Sequence, residues 1–480
     1  MKYRHLLVLG LLGAAGMVGT LGACNDGDDD DDSADAGDAG KLSDGGTLVG
    51  DSGSGTDATI ADGGTQPGTD AAPADAASTY DAALVIPDRC NGTTKSANNP
   101  PSSSPSPAPA ITVPEGLTLE AIGTLPGAPG ARELVALPNG DLLVASSGTS
   151  VYFIANADNG AADTPSTPTI FATFPESPAQ GISYDPTTCT IYVATEHDIY
   201  AIPYTDAQQT ATPGSAIATV RPQAPEPGTD GDNHTSTSLA AVPNGQLYAG
   251  VGSDCNACVE TDPTRATVQQ LALDGGATTT RATRVRNAIG LAVNPSTGTV
   301  WAGGAGQDDL PLGHPYEWFD GVTLHPGTPD YGWPACEENQ HAYIDGSVCT
   351  SVVEPRIELP AYSTIIGATF YPTGGVYNLG STYQGGVFIT SHGSWHKEAS
   401  SNTYYTSPKV VFVPMNGDTP VTAVDWTDPT KQWTTFIDGF QPTGDTRIGK
   451  PTGIAVGPLG SLFVADDQTN QIYRVRHYAN

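Results

Sequence analysis

Basic residues are scarce in this chain. Nineteen Lys and Arg stand against 52 Asp and Glu in 480 residues, a formal net charge of −33. Such a chain repels polyanions, which excludes nucleic acid as a partner and disfavours an anionic surface unless another anchor holds it there. No apolar run is both long enough and glycine-poor enough for a convincing membrane span. No Gly-x-Gly-x-x-Gly joins a strand to a helix, so nothing indicates a nicotinamide dinucleotide fold. Cys258 is followed by Val259, which rules out a Cys-x-x-Cys-His haem attachment there. Within the folded part no stretch sustains a long 3.6-residue apolar period, so a helical architecture is not expected.

What is present begins with an export signal. MKYRH is a short basic start, an apolar stretch follows, and Leu21-Gly22-Ala23-Cys24 resembles the bacterial lipobox. Residues 1–23 are therefore expected to be a lipoprotein signal peptide, with Cys24 lipidated and the mature protein anchored in the bacterial cell envelope, periplasmic or at the outer surface. Residues 24–108 hold the run Asp28 to Asp32, much Gly, Ser, Ala and Thr, and a Pro/Ser-rich end. That composition buries too little apolar surface to offset chain entropy, and reads as a disordered acidic tether.

Residues 109–480 repeat. ELVALPNGDLLVASSG (133–148), GISYDPTTCTIYVATEH (181–197) and SLAAVPNGQLYAGVGSD (238–254) share one form: apolar strand, tight turn, apolar strand. GLAVNPSTGTVWAGGAGQD (290–308), GATFYPTGGVYNLGSTYQGGVFITSHG (367–393) and GIAVGPLGSLFVADDQ (453–468) repeat it. Pro-Asn-Gly supplies the positive φ that such hairpins need. Spacings of about 50 residues suit four-stranded blades, and the two longer intervals suggest loop insertions. The expected fold is all-β, a six-bladed β-propeller closed by pairing 111–123 with the C-terminal QIYRVRHY. A pair of β-sandwiches or a seven-bladed ring are the competing arrangements.

Apart from Cys24, six cysteines remain, an even number that favours disulfides in an exported protein. Cys255 with Cys258 and Cys336 with Cys349 are the short-range pairs, which leaves Cys90 with Cys189. Redox exchange or zinc binding by the Cys-Asn-Ala-Cys segment has little support, because neither a helix N-terminus nor a second ligand pair accompanies it.

A propeller gathers the ends of its strands around one axial mouth. Five polar places lie at such ends: Asp232-Asn233-His234, Arg286-Asn287, Gly306-Gln307-Asp308-Asp309, Ser391 to His396, and Arg447 with Lys450. Each also has a structural reading as a turn cap, a blade-edge pin or a solvated loop.

The segments DNHTSTSLAAVPNGQLYAGVGSDCNAC, RNAIGLAVNPSTGTVWAGGAGQDDLP, DYGWPAC, YQGGVFITSHGSW and GKPTGIAVGPLGSLFVADDQTNQIYRV occur in the order found in one family. From about 112 to 478 the chain resembles the pyrroloquinoline-quinone (PQQ)-dependent sugar dehydrogenases, with the sorbosone dehydrogenase branch and the soluble glucose or aldose dehydrogenases nearest. The resemblance implies an oxidoreductase that passes hydride from a sugar or sugar aldehyde to PQQ. It implies His234 as general base, Arg286 beside the quinone oxygen, and Asn287, Gln307, His392, Trp395, Arg447 and Lys450 around the cofactor. Ca²⁺ would act as Lewis acid, with Gly306 and Gln307 among its ligands, and electrons would leave to an external acceptor such as a cytochrome.

The chain also departs from the family. Thr235-Ser236-Thr237-Ser238 replaces a stretch often ending in arginine, Asp320-Gly321 replaces an Asp-Glu pair, Ser391 begins a motif usually written EHGSW, and Lys450 stands for an arginine. A non-catalytic propeller displayed to bind a glycan or envelope protein, and a calcium-dependent lactonase, are the alternative functions.

Overall fold

The computed structural model describes residues 110–477 apart from 159–165, 222–233, 244, 274–276, 373 and 400–403, together with 85–87, 90 and 94–96. The signal peptide, Cys24, Asp232 and Asn233 lie outside the described residues.

Six four-stranded antiparallel sheets follow one another as blades. Their inner strands are Ala131–Ala136, Gly181–Asp185, Thr237–Val242, Asn287–Val293, Ile365–Phe370 and Pro451–Val456. These are the first strands of the six sequence repeats, and each runs beside the next around a ring. The six-bladed propeller is thus the observed fold. Among the described residues the only helices are single 3₁₀ turns, Val322–Leu324 and Ser381–Tyr383.

Strand alternation explains why the ring must close. In the second strand of blade six, Leu462 and Val464 pack with blade five. Phe463 and Ala465 point the other way, into blade one. Successive side chains face opposite sides of a sheet, so each blade carries two apolar faces and depends on both neighbours. Six hydrophobic clusters result, one for each pair of adjacent blades. The turn after an inner strand needs little sequence: Gly140 sits at φ +87°, where a side chain would be strained.

Closure uses the two ends of the folded part. Leu117–Thr124 pairs antiparallel with Gln471–His477 and completes blade six. Glu120 is buried there, accepting from Arg474 Nε at 2.7 Å and Nη2 at 3.0 Å, with Arg476 Nε at 2.9 Å. Three disulfides are formed, Cys90–Cys189, Cys255–Cys258 and Cys336–Cys349, the pairing expected from the sequence. The segment read as tether is not uniformly irregular: Val85–Pro87 and Thr94–Ser96 pair as a short hairpin around the bridged Cys90.

Removing one partner of a buried ion pair leaves the other desolvated and unpaired. Glu120→Ala is expected to lower the unfolding free energy by roughly 3 kcal/mol or more, because two arginines lose their partner. Urea denaturation of the two proteins reads this; an unchanged midpoint would show that closure does not rest on the pair.

Candidate active site at the axial mouth

The residues singled out in the sequence gather where the inner strands begin. His234 precedes the inner strand of blade three, Arg286 that of blade four, and Lys450 that of blade six. Blades one, four, five and six each carry a register shift near this end of the inner strand. Bulges of this kind interrupt the ladder and re-aim side chains.

His234 is buried, and its Nδ1 lies 3.0 Å from the Ser253 carbonyl, an atom that only accepts. Nδ1 is also 2.8 Å from Ser253 Oγ, whose own hydrogen is donated to the Cys255 carbonyl at 2.8 Å. Both contacts require a proton on Nδ1, so neutral His234 keeps its lone pair on Nε2. Burial, and then the Arg286 charge, hold this imidazole well below its ordinary pKa. The approach depends on Gly252, where a Cβ would lie 2.4 Å from that of His234 and 2.8 Å from Asn287 Oδ1.

Arg286 is likewise buried. It donates from Nε to the Asn256 carbonyl at 3.0 Å, from Nη2 to Asn256 Oδ1 at 2.9 Å, and to Asp308 Oδ2 at 3.3 Å. Asn287 Oδ1 accepts from Ser236 Oγ at 3.3 Å. Behind Arg286, the Gly306 amide donates to Glu317 Oε2 at 2.9 Å, and burial pushes Glu317 up to about 8. Gln307 Oε1 and Glu337 Oε1 are buried without a hydrogen-bond partner. Unpartnered oxygens of this type suit a hard cation.

Across the mouth, His392 Nε2 lies 2.9 Å and Arg132 Nη1 3.1 Å from Asp467 Oδ2. His392, Arg132 and Lys450 together hold the Asp467 carboxyl far below its ordinary value. Lys450 is buried, whereas Arg447 braces an outer loop, donating to the His396 carbonyl at 3.0 Å and to Gln441 Oε1 at 2.9 Å. Trp395 is 46% exposed, its ring against that of His396. Sequence reasoning passed over Gln180, which sits just before the inner strand of blade two with both amide atoms buried and unpartnered. It also passed over Ser253, Asn256, Glu317, Glu337, Arg132 and Asp467. A separate cavity of about 420 Å³ follows the axis below the mouth, lined by Glu133, Leu239, Leu291, Ile366 and Ile454.

With this geometry in place, the relatives become informative. A TrAA12-like family model matches residues 330–478. A pyrroloquinoline quinone-dependent sugar dehydrogenase of Hypocrea jecorina is 23% identical over 436 residues, covering 78% of this chain and 90% of its own length. The chain is similar to the PQQ-dependent sugar dehydrogenases. An uncharacterized protein of Borreliella burgdorferi is 28% identical over 194 residues, 40% of this chain; this chain spans about half of that relative, 47%. The holo pyranose dehydrogenase PQQ domain of Coprinopsis cinerea superposes at a TM-score of 0.62, 16% identical, over 78% of this chain and 100% of that one. The calcium structure of a Trichoderma reesei carbohydrate-active enzyme of family AA12 superposes at 0.59, 20% identical, over 78% and 100%. These superpositions support the six-bladed fold, which the sequence repeats had implied.

Asp467 tests the electrostatics of the mouth. Its pKa is depressed on folding, so its stabilisation is present above the unfolded value, about pH 4, and fades as pH falls below it. Asp467→Asn is expected to cost about 2 kcal/mol at pH 7, less than a fully buried pair because a fifth of its side chain is exposed. Urea midpoints should differ more at pH 7 than at about pH 2, and equal deficits at the two would mean the carboxylate charge is not what matters.

Proposed function

We propose that this protein is a PQQ- and Ca²⁺-dependent oxidoreductase acting on a sugar or sugar aldehyde. The observation that carries the reading is His234, a buried neutral imidazole with its lone pair on Nε2, set close to the buried cation Arg286. The likeness to sugar dehydrogenases supports the same conclusion.

The residues at the mouth fit the cofactor. PQQ is a flat, polyanionic quinone, and Arg132, Arg286 and Lys450 are buried cations at the mouth. The unpartnered amide of Gln180 offers both a donor and an acceptor. Asn287, His392 and Trp395 would complete the surround, whereas Arg447 is held in an outer loop by His396 and Gln441. For Ca²⁺, Gln307 Oε1 and the carbonyls of Gly306 and Gln307 would supply oxygen ligands.

When bound, the quinone supplies a two-electron acceptor and Ca²⁺ draws charge toward its carbonyl. The protein's own part is proton and charge management. His234 Nε2 takes the hydroxyl proton of the substrate while the carbon gives up its hydride, so the substrate loses two electrons and two hydrogens. The lowered pKa keeps the imidazole free to accept that proton at neutral pH. Arg286, fixed by Asn256 and Asp308, meets negative charge as it develops without having to reorganise.

The lipobox-like Leu21 to Cys24 supports export and lipid anchoring in the cell envelope. The acidic surface would steer a basic electron acceptor such as a cytochrome, which is the partner we propose.

The test is dye reduction by the full-length protein loaded with PQQ and Ca²⁺, offered aldoses, sorbosone and polyols. Turnover should require both additions, disappear with a chelator, and fall by about 100-fold or more in His234→Ala. Loaded protein that binds PQQ but turns over equally well without His234 would remove it as the base. No PQQ uptake and no turnover would sink the dehydrogenase reading.

A further inference from the structure

The four-residue loop Cys255–Cys258 reaches both the neutral His234 and the cationic Arg286 of the candidate site. Its first carbonyl, that of Cys255, accepts from Ser253 Oγ at 2.8 Å, and this serine in turn fixes the His234 tautomer. The next residue, Asn256, takes five hydrogen bonds. Arg286 donates to its carbonyl at 3.0 Å and to its Oδ1 at 2.9 Å. The Asp308 amide donates to the same Oδ1 at 2.8 Å, and Asn256 Nδ2 donates back to the Asp308 carbonyl at 3.3 Å. Trp333 Nε1 donates to the Asn256 carbonyl at 3.0 Å.

A partly exposed loop without regular structure should not hold such a constellation unaided, because fixing each of its residues costs about 1–2 kcal/mol of chain entropy. The Cys255–Cys258 bond closes the loop on itself and removes much of that freedom. The sulfurs, though within 4.8 Å of a Glu260 carboxylate oxygen, are bonded to one another, so this is not a metal site.

We infer that the Cys255–Cys258 ring is a clamp that positions the cation and the proton acceptor of the mouth together, Arg286 through Asn256 and His234 through Ser253. Asn256 is a positioning residue, and the crosslink sets the register between its carbonyl and that of Cys255. The geometry stands alone; the effect on turnover rests on the dehydrogenase reading above.

The experiment compares full-length wild type, Asn256→Ala, Asn256→Asp, the double variant Cys255→Ser/Cys258→Ser, and the triple variant combining the double with Asn256→Ala. The first readout needs no cofactor: the Nη2–H resonance of Arg286, the donor to Asn256 Oδ1, in ¹⁵N-labelled protein, assigned by its loss in Arg286→Lys. In wild type it should exchange slowly with solvent. In Asn256→Ala and in the double variant it should shift and exchange quickly. Asn256→Asp keeps an acceptor for Arg286 and should largely retain it. The second readout is steady-state kinetics of the PQQ- and Ca²⁺-loaded proteins. kcat should fall about tenfold to a hundredfold with little change in KM, as expected for misplaced groups. The triple variant should be no worse than the poorer of the two, because a shared device gives non-additive losses.

An unchanged resonance and unchanged kcat in both variants would overturn the proposal, as would losses that multiply. Should the double variant fail to fold, Asn256→Ala, with its crosslink intact, decides. If wild type shows no PQQ-dependent turnover, the dehydrogenase reading fails and the resonance alone judges the clamp.

Discussion

The pairing of Leu117–Thr124 with Gln471–His477 is the interaction on which the rest of the structure depends. Each blade exposes two apolar faces, and an open chain of six blades would leave one at either end in water. Joining the ends converts a stack into a ring in which every face has a neighbour. The buried Glu120 with Arg474 and Arg476 gives that joint a specific register, since a one-residue slip of Leu117–Thr124 would put Glu120 on the opposite face from the two arginines. The mouth exists only because the ring is closed: Asp467 and Lys450 belong to blade six and Arg132 to blade one, and they meet across the joint.

Chemistry at the mouth follows from burial more than from residue identity. In water a histidine is only partly protonated near neutral pH, whereas an arginine is always charged. Here the imidazole is stripped of solvent beside a fixed cation, which leaves it neutral. The carboxylate of Asp467 has the opposite surroundings, three cationic or potentially cationic groups, and is driven the other way. One concave surface thus holds a group prepared to take a proton and a group that resists taking one, and each behaviour traces to a neighbour contributed by another loop or blade.

The architecture was legible because a propeller writes its inner and second strands into the sequence as repeats. Val-Pro-Asn-Gly and the apolar alternation around it marked the beginnings of the blades within a few residues. The outer strands were less visible, since Thr279–Thr283 and Ala218–Thr219 are short and polar and owe their place to pairing with the strand inside them. His234, Arg286 and Lys450 stood out as polar residues at strand ends. Of the groups around them, Asp308 and His392 also stood out, but Ser253, Asn256, Arg132 and Asp467 did not. His392 and Asp467 are 75 residues apart, and Arg132 and Asp467 are 335 apart, distances over which no local pattern operates. Gln180 carried no signal either, being a lone amide in an ordinary loop. The hairpin at Val85–Pro87 and Thr94–Ser96 was hidden by a composition that reads as tether on both sides.

The Cys90–Cys189 bond gives that hairpin a mechanical meaning. It joins a residue ahead of the propeller to the turn between the first two strands of blade two. Tension on the chain before Cys90 therefore enters the ring at Cys189, through a covalent link, and bypasses Leu117–Thr124. A pull on the N-terminal side loads a hairpin turn of an already complete blade in place of unzipping the seam, strand from strand.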